Sequence, residues 1–188
     1  TKDSGINNAG TFHIICKSCD SKVFQDYEKA EMYETCPTKE ALNQIALKTA
    51  LRDIYKHETE IEMYEACKRI IKQKSPSAAF FVSIMINAQI GARMRDIQEC
   101  YEIYNTSKSC LTEPVEWLRL ISFDKLNYTS PIAFQGMIAL ITGVDGEVIN
   151  NNFNHNRNYK MEYLHIAVFP LQYATAIILF LDSKSTRY

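Results

Sequence analysis

The chain has 188 residues, of which 46% are hydrophobic and 23% are charged, the ordinary composition of a globular protein. Lys and Arg number 21 and Asp and Glu number 22, so the net charge is −1. This balance excludes a global positive field of the kind that attracts nucleic acid.

Neither a secretory signal nor a membrane span is predicted. The first fifteen residues lack a basic head followed by an apolar stretch. The longest apolar-leaning run, SAAFFVSIMINAQIGA, is interrupted by polar residues, whereas a span needs about 20 apolar residues. We therefore expect a cytoplasmic protein with reduced thiols. Because the chain begins with Thr1 rather than Met, we also expect a processed chain or a segment of a longer one.

Residues 1–36 are predicted to form a small N-terminal segment with a cysteine knuckle. A polar loop comes first, and residues 11–15 favour a short strand. Residues 17–35 carry many charges and indicate a short helix or turn followed by a loop. Cys16 and Cys19 lie between the apolar run and the charged one, as a CxxC motif.

Residues 37–108 are predicted to be helical. Thr38 is a good N-cap, and apolar residues recur at helical spacing as far as about residue 73. This pattern fits one long helix or two consecutive helices. The sequence SPSA at 75–78 breaks the run, a second helical segment is predicted over 79–104, and NTSKSC after it is typical of a loop.

Residues 109–188 are predicted to be rich in antiparallel β-structure. Short runs of β-branched and aromatic residues alternate with turn signals: WLRLISF, IAFQGMIALITGV, EVINNNF, YLHIAVF and TAIILFL. Asp145-Gly146 predicts one hairpin and Pro170 to Ala174 a second, while residues 150–160 indicate a long polar connection. The predicted fold class is therefore α+β, with residues 37–188 as one domain.

Three interpretations of Cys16 and Cys19 are open. A CxxC turn can direct two thiolates at one zinc ion, about 2.3 Å from each sulfur, and His13 and Cys36 would complete a set of four ligands. A thioredoxin-type redox pair would require a βαβ unit, and none follows in the sequence. Unrelated thiols, buried or incidental, are the third interpretation.

The string TFHIICKSCDSKVF resembles the second knuckle of HNH-type treble-clef nucleases. In that family an apolar strand leads into a CxxC turn, which is followed by Asn or Asp and then by a helix. The likeness covers about residues 10–28. It implies a structural zinc ion with Cys16 and Cys19 among its ligands, and nucleic acid as the partner.

The sequence departs from this family in its catalytic parts. The family's catalytic His lies upstream of the second knuckle, in a motif such as DHIIP, whereas HII at 13–15 runs directly into the cysteines here. The next Asn and His, Asn43 and His57, fall in a predicted helix. The resemblance then implies that the first knuckle and the catalytic His precede Thr1, and that this chain holds a partial or inactive finger.

A second resemblance covers more of the chain. The order FHIICKSCD, long helices, SPIAFQGMIALITGVDGEVIN and YLHIAVFPLQ is similar to a group of bacterial proteins with HNH-like starts. It implies a bacterial cytoplasmic protein and assigns no activity to the C-terminal part.

Other residues that could carry chemistry have ordinary structural interpretations. His165 on a predicted strand is expected to be structural rather than a pocket residue, and His155 is expected in a solvated loop. The glutamates of one predicted helix, which could pair for acid–base work, are expected on its exposed face; they are Glu58, Glu60, Glu62 and Glu65.

Two functions of different classes follow. The first is a zinc-knuckle, HNH-like protein that handles nucleic acid and is truncated or inactive as a nuclease. The alternative is a metal-free interaction or binding module whose β-rich half presents a surface to another protein. For either function, a protein partner or a homo-oligomer is open. The net charge counts against nucleic acid, and no complete catalytic set establishes an enzyme.

Overall fold

The structure, a computed structural model, describes residues 15–25, 29–113, 115–151, 154, 156 and 159–186. Its elements in chain order are α1 (Lys17–Val23), a 3-10 helix (Ala30–Tyr33), α2 (Lys39–Lys74), α3 (Pro76–Ser109), β1 (Leu118–Leu126), β2 (Phe134–Ile138), β3 (Leu164–Pro170) and β4 (Thr175–Asp182). The predicted α+β class, with a helical middle and an antiparallel β-rich C-terminal part, is confirmed. The strand predicted at 11–15 lies, apart from Ile15, outside the described residues.

One continuous helix fills residues 39–74, so the single-helix alternative is correct. The Thr38 hydroxyl accepts a hydrogen bond from the Ala41 backbone N–H at 3.2 Å, which is the predicted N-cap. Although α2 and α3 contain 36 and 34 residues, no helix in the described part of the chain is apolar enough over its length to cross a membrane.

Ser75 is the single residue between the two long helices. Its N–H donates to the Ile71 carbonyl at 2.9 Å, and its own carbonyl accepts from Ala78 and Ala79, each at 3.1 Å. Pro76 occupies the first position of α3, where its missing N–H costs nothing. The helices therefore break here because the residue before a proline is disfavoured in helical conformation.

The loop predicted at 105–110 is wrong, because α3 continues to Ser109. Ser107 is fully buried, and its backbone carbonyl accepts a hydrogen bond from the Asn43 side chain at 3.0 Å. Local composition favours a turn in this stretch, but the distant contact with Asn43 keeps the last turns helical.

The chain divides into two compact units. Unit 1 contains residues 1–25 and 50–101, and unit 2 contains residues 26–49 and 102–188. Within unit 1, α2 and α3 run antiparallel: Lys68 Nζ lies 2.8 Å from Asn87 Oδ1, and Arg93 Nε lies 2.7 Å from Glu60. Among the described residues of this unit, the buried apolar ones are Phe24, Ala50, Ile54, Ile86 and Cys100.

Unit 2 contains a four-stranded antiparallel sheet in the order β1-β4-β3-β2. The second predicted hairpin is confirmed, since the Leu171 N–H donates to the Ala174 carbonyl at 2.8 Å between β3 and β4. The predicted Asp-Gly turn also forms, with Gly146 at φ 85°. It closes a single bridge between Thr142 and Val148, and the described part of EVINNNF, residues 147–151, forms no strand.

The core of unit 2 lies between this sheet and the first turns of α2. Gln135 of β2 donates from Nε2 to the Ile45 carbonyl at 3.0 Å and to the Thr49 hydroxyl at 2.9 Å. The buried residues of α2 and the sheet in this unit include Leu42, Ile45, Ala167, Ile178 and Phe180. Each fully buried aliphatic or phenylalanine side chain contributes about 1.5–3 kcal/mol relative to an exposed one.

Asn150 is a buried polar residue with complete hydrogen bonding. Its Nδ2 donates to the Leu140 carbonyl at 2.8 Å and to the Glu162 carbonyl at 2.9 Å, and its Oδ1 accepts from the Glu162 N–H at 2.9 Å. Its exposure is 0%. The side chain therefore joins the two ends of the long connection between β2 and β3.

We expect Asn150→Ala to lower the free energy of unfolding by about 2–4 kcal/mol, because it leaves three buried backbone groups without partners. Urea denaturation followed by the fluorescence of Trp117, the single tryptophan, measures this change. The matched control is Asn87→Ala, which removes an exposed asparagine and is expected to shift stability by about 0.5 kcal/mol or less. Equal shifts in the two variants would contradict the role given to Asn150.

Candidate cysteine metal site

Cys16 and Cys19 lie at the start of the short helix α1. Cys16 is its N-cap, in extended conformation with φ −66° and ψ 146°, and its sulfur accepts a hydrogen bond from the Cys19 N–H at 3.2 Å. Its carbonyl accepts from the Asp20 N–H at 2.9 Å, the first helical bond. A CxxC turn places the second cysteine on the same side as the first, because three residues make almost one helical turn.

The two sulfur atoms are 2.9 Å apart and both side chains are exposed. This separation is longer than the ~2.05 Å of a disulfide bond. Two sulfurs bound to one tetrahedral zinc ion at ~2.3 Å lie about 3.8 Å apart. The observed separation lies between these two values, so a change of side-chain torsions is needed to reach either arrangement. Because both side chains are exposed, they are not buried thiols, and incidental exposed thiols remain an alternative to a metal or redox pair.

The two thiols differ in acidity. The hydrogen bond with the Cys19 thiol, aided by the Cys19 backbone N–H, lowers the pKa of Cys16. The same hydrogen bond and the nearby Cys16 charge raise the pKa of Cys19. Cys16 is therefore the first of the two to become a thiolate, the form that acts as nucleophile and as metal ligand.

The described residues supply two of the four ligands that a structural zinc ion needs. In this part of the chain, no group of three His, Cys, Asp or Glu side chains is placed to hold a metal ion. His13, one member of the predicted set of four, lies outside the described residues. Cys36, the other, is exposed and belongs to unit 2.

Asn43 and His57 both lie on α2, and each has a structural partner. Asn43 is buried in unit 2 and accepts a hydrogen bond from Trp117 Nε1 at 3.0 Å. In unit 1, His57 Nδ1 lies 3.1 Å from the Glu60 carboxylate. These contacts account for both residues within their own units.

His165 is a core residue, in agreement with the structural interpretation of the sequence. Its exposure is 2%, and its ring stacks on Phe180 with the centroids 4.7 Å apart. Nδ1 has no hydrogen-bond partner among the described residues. Burial lowers the pKa of His165 to about 4, so the ring is neutral at pH 7.

Two of the four helical glutamates, Glu60 and Glu65, take part in ion pairs within unit 1. Glu60 pairs with Arg93, and Glu65 lies 3.7 Å from Lys68. His155, by contrast, lies outside the described residues. Since each paired glutamate faces a basic side chain rather than another carboxylate, the pairs resemble helix-stabilising contacts and not an acid–base dyad.

The fold and the site together define an α+β protein with an exposed CxxC pair at the start of a short helix. No family model matches the chain, and no curated protein or solved structure matches it either.

Sequence reasoning missed one surface feature. The outer side of α3 carries four large exposed apolar residues, named here the apolar stripe: Phe80, Phe81, Ile84 and Met85. The sequence did contain a signal for this surface. In SAAFFVSIMI, apolar residues occur on all sides of the helix, so a helix with only one buried side leaves some of them exposed.

We expect iodoacetamide at neutral pH to alkylate Cys16 before Cys19 in chelator-treated protein, because Cys16 has the lower pKa. Cys100 should react last, since burial raises its pKa to about 12. Peptide mass spectrometry after timed quenching measures the order, with exposed Cys67 as the internal reference for an accessible thiol. Faster labelling of Cys19 than of Cys16 would contradict this assignment.

The buried His165 should make the protein less stable in acid. The unfolded chain binds the proton near pH 6.5 and the folded chain near pH 4, so the free energy of unfolding falls as the pH drops through this window. The expected loss is about 3 kcal/mol. Urea titrations at a series of pH values from 7 to 4 measure this loss. In His165→Leu, the free energy of unfolding should depend less steeply on pH than in the wild type. If His57→Gln reduces this pH dependence as much as His165→Leu, the assignment is wrong.

Proposed function

We propose that Cys16 and Cys19 bind a structural zinc ion, and that the chain is a zinc-knuckle, HNH-like protein that acts on nucleic acid without a catalytic set in its described residues. The observation that carries this proposal is the geometry of the turn. Two exposed sulfurs lie 2.9 Å apart, and a backbone N–H already donates to one of them.

The chemistry of the turn supports a metal ligand pair. Zinc is held by thiolates, so a site binds it more readily when a ligand is already easy to deprotonate. The lowered pKa of Cys16 meets this condition. The N–H donated by Cys19 orients the Cys16 sulfur, as outer hydrogen bonds do in metal sites. All six cysteines are free, as a reducing cytoplasm would keep them.

The remaining ligands would come from outside the described residues. His13 is one candidate, and the resemblance to the second knuckle of HNH-type nucleases implies that another cysteine pair supplies the rest. In such a protein zinc stabilises the finger, because binding energy becomes folding energy when the ligands are brought together. Nucleic acid as the partner rests on this resemblance, and the near-neutral charge gives it no further support.

We expect purified protein, prepared in zinc-supplemented medium without chelator, to contain bound zinc. Inductively coupled plasma mass spectrometry measures the zinc content per chain. This content should be at least tenfold lower in Cys16→Ser/Cys19→Ser than in the wild type. Cys67→Ser is the matched control, because it removes another exposed thiol of unit 1 and should keep the metal. The same content in all three proteins, or none in any of them, would refute the zinc site.

A second candidate, a reversible dithiol, is favoured by the opposite pKa shifts of the two cysteines. In that case, the Cys16 thiolate attacks oxidised glutathione and expels one glutathione thiolate. The Cys19 sulfur, on losing its proton, then attacks the Cys16 sulfur of this mixed disulfide. It expels the second glutathione thiolate and forms the Cys16–Cys19 disulfide. Zinc-free protein that gains this disulfide and loses 2 Da would identify the pair as redox-active.

A further inference from the structure

We propose that the apolar stripe of α3 is the surface through which two copies of this chain associate. It lies in unit 1, and the inference does not depend on the zinc site.

The four side chains are exposed to an extent unusual for large apolar residues. Phe80 is 68% exposed, Phe81 71%, Ile84 54% and Met85 70%. They recur at i, i+1, i+4 and i+5, which places them on one side of the helix. Ile86 is 8% exposed and belongs to the buried side. The stripe is therefore a second apolar side of α3, opposite the one that packs within the unit.

The exposed area is close to what a stable pair of copies needs. A phenylalanine side chain carries about 150–250 Å² of surface, so the four residues of the stripe leave roughly 400–600 Å² uncovered. A patch of this size lies at the upper end of what soluble monomers expose. Two copies would together bury about 800–1,200 Å² from these side chains alone, near the ~1,000 Å² expected of a biological interface.

The charge pattern favours a second copy over a different partner. Residues 75–92 contain no Asp, Glu, Lys or Arg, so two identical stripes can meet about a twofold axis without placing like charges together. A partner recognised by charge would find no complementary group on this side of the helix. The small residues Ser77 and Ala88 fall on the same side and leave room for a second helix to approach.

Sedimentation equilibrium tests the proposal on the whole chain. The wild-type protein should have twice the mass of the 21.6 kDa chain at micromolar concentration. Phe81→Glu should raise the dimer dissociation constant at least tenfold. It should keep its helical circular dichroism, because the side chain is already exposed. Tyr173→Glu is the matched control, since it removes an aromatic residue that is 79% exposed in unit 2, and it should stay dimeric.

Four results would overturn the inference. The first is a wild-type chain that stays monomeric at 100 µM. The second is equal dimer dissociation constants for Phe81→Glu and Tyr173→Glu. The third is a dimer that Cys16→Ser/Cys19→Ser abolishes, since that would assign association to a shared metal ion. The fourth is a monomer that floats with 3:1 phosphatidylcholine–phosphatidylserine vesicles unless Phe81 is replaced, because the stripe would then be a membrane contact.

Discussion

The side chain of Asn43 holds together three parts of unit 2. It accepts from the indole of Trp117, just before β1, and donates to the carbonyl of Ser107 near the end of α3, while its own helix begins four residues earlier. A buried amide is costly unless it is hydrogen-bonded, so the three segments are stable only in the arrangement that satisfies it. The helical end of α3 and the start of the sheet both depend on this constraint.

Local signals explain why much of the fold could be predicted. Some residues determine the structure of their immediate neighbours only, as do Thr38, Pro76 and the turn at 170–174. The helix start, the helix break and the β-hairpin that they predict all form where they are expected. The end of α3 could not be predicted, since Ser107 is kept helical by a residue 64 positions away. The hairpin at Gly146 has a single bridge rather than the predicted pair of strands. The residue after it in the chain, Asn150, hydrogen-bonds the Leu140 carbonyl through its side chain, a contact that the sequence does not predict.

The residues of the candidate site could be predicted from the sequence, whereas the chemical role of the pair could not. CxxC spacing alone singles out Cys16 and Cys19, and it allows a metal pair, a redox pair or incidental thiols. Exposure, the distance between the sulfurs and the unequal acidity of the two thiols come from the three-dimensional turn. The apolar stripe could not be predicted for a related reason. An apolar sequence predicts burial, and only the structure shows which of the two apolar sides of α3 is exposed to solvent.

The single-residue joint at Ser75 limits how the chain can change in length. Each residue added to a helix rotates everything after it by about 100°. An insertion near the joint that stayed helical would therefore turn α3 relative to α2, moving Ile86 outward and bringing part of the stripe inward. The connection between β2 and β3 is not helical in its described residues, so a residue added there does not rotate the elements that follow it. Insertions and deletions among natural variants should therefore accumulate in that connection and be rare at the helical joint.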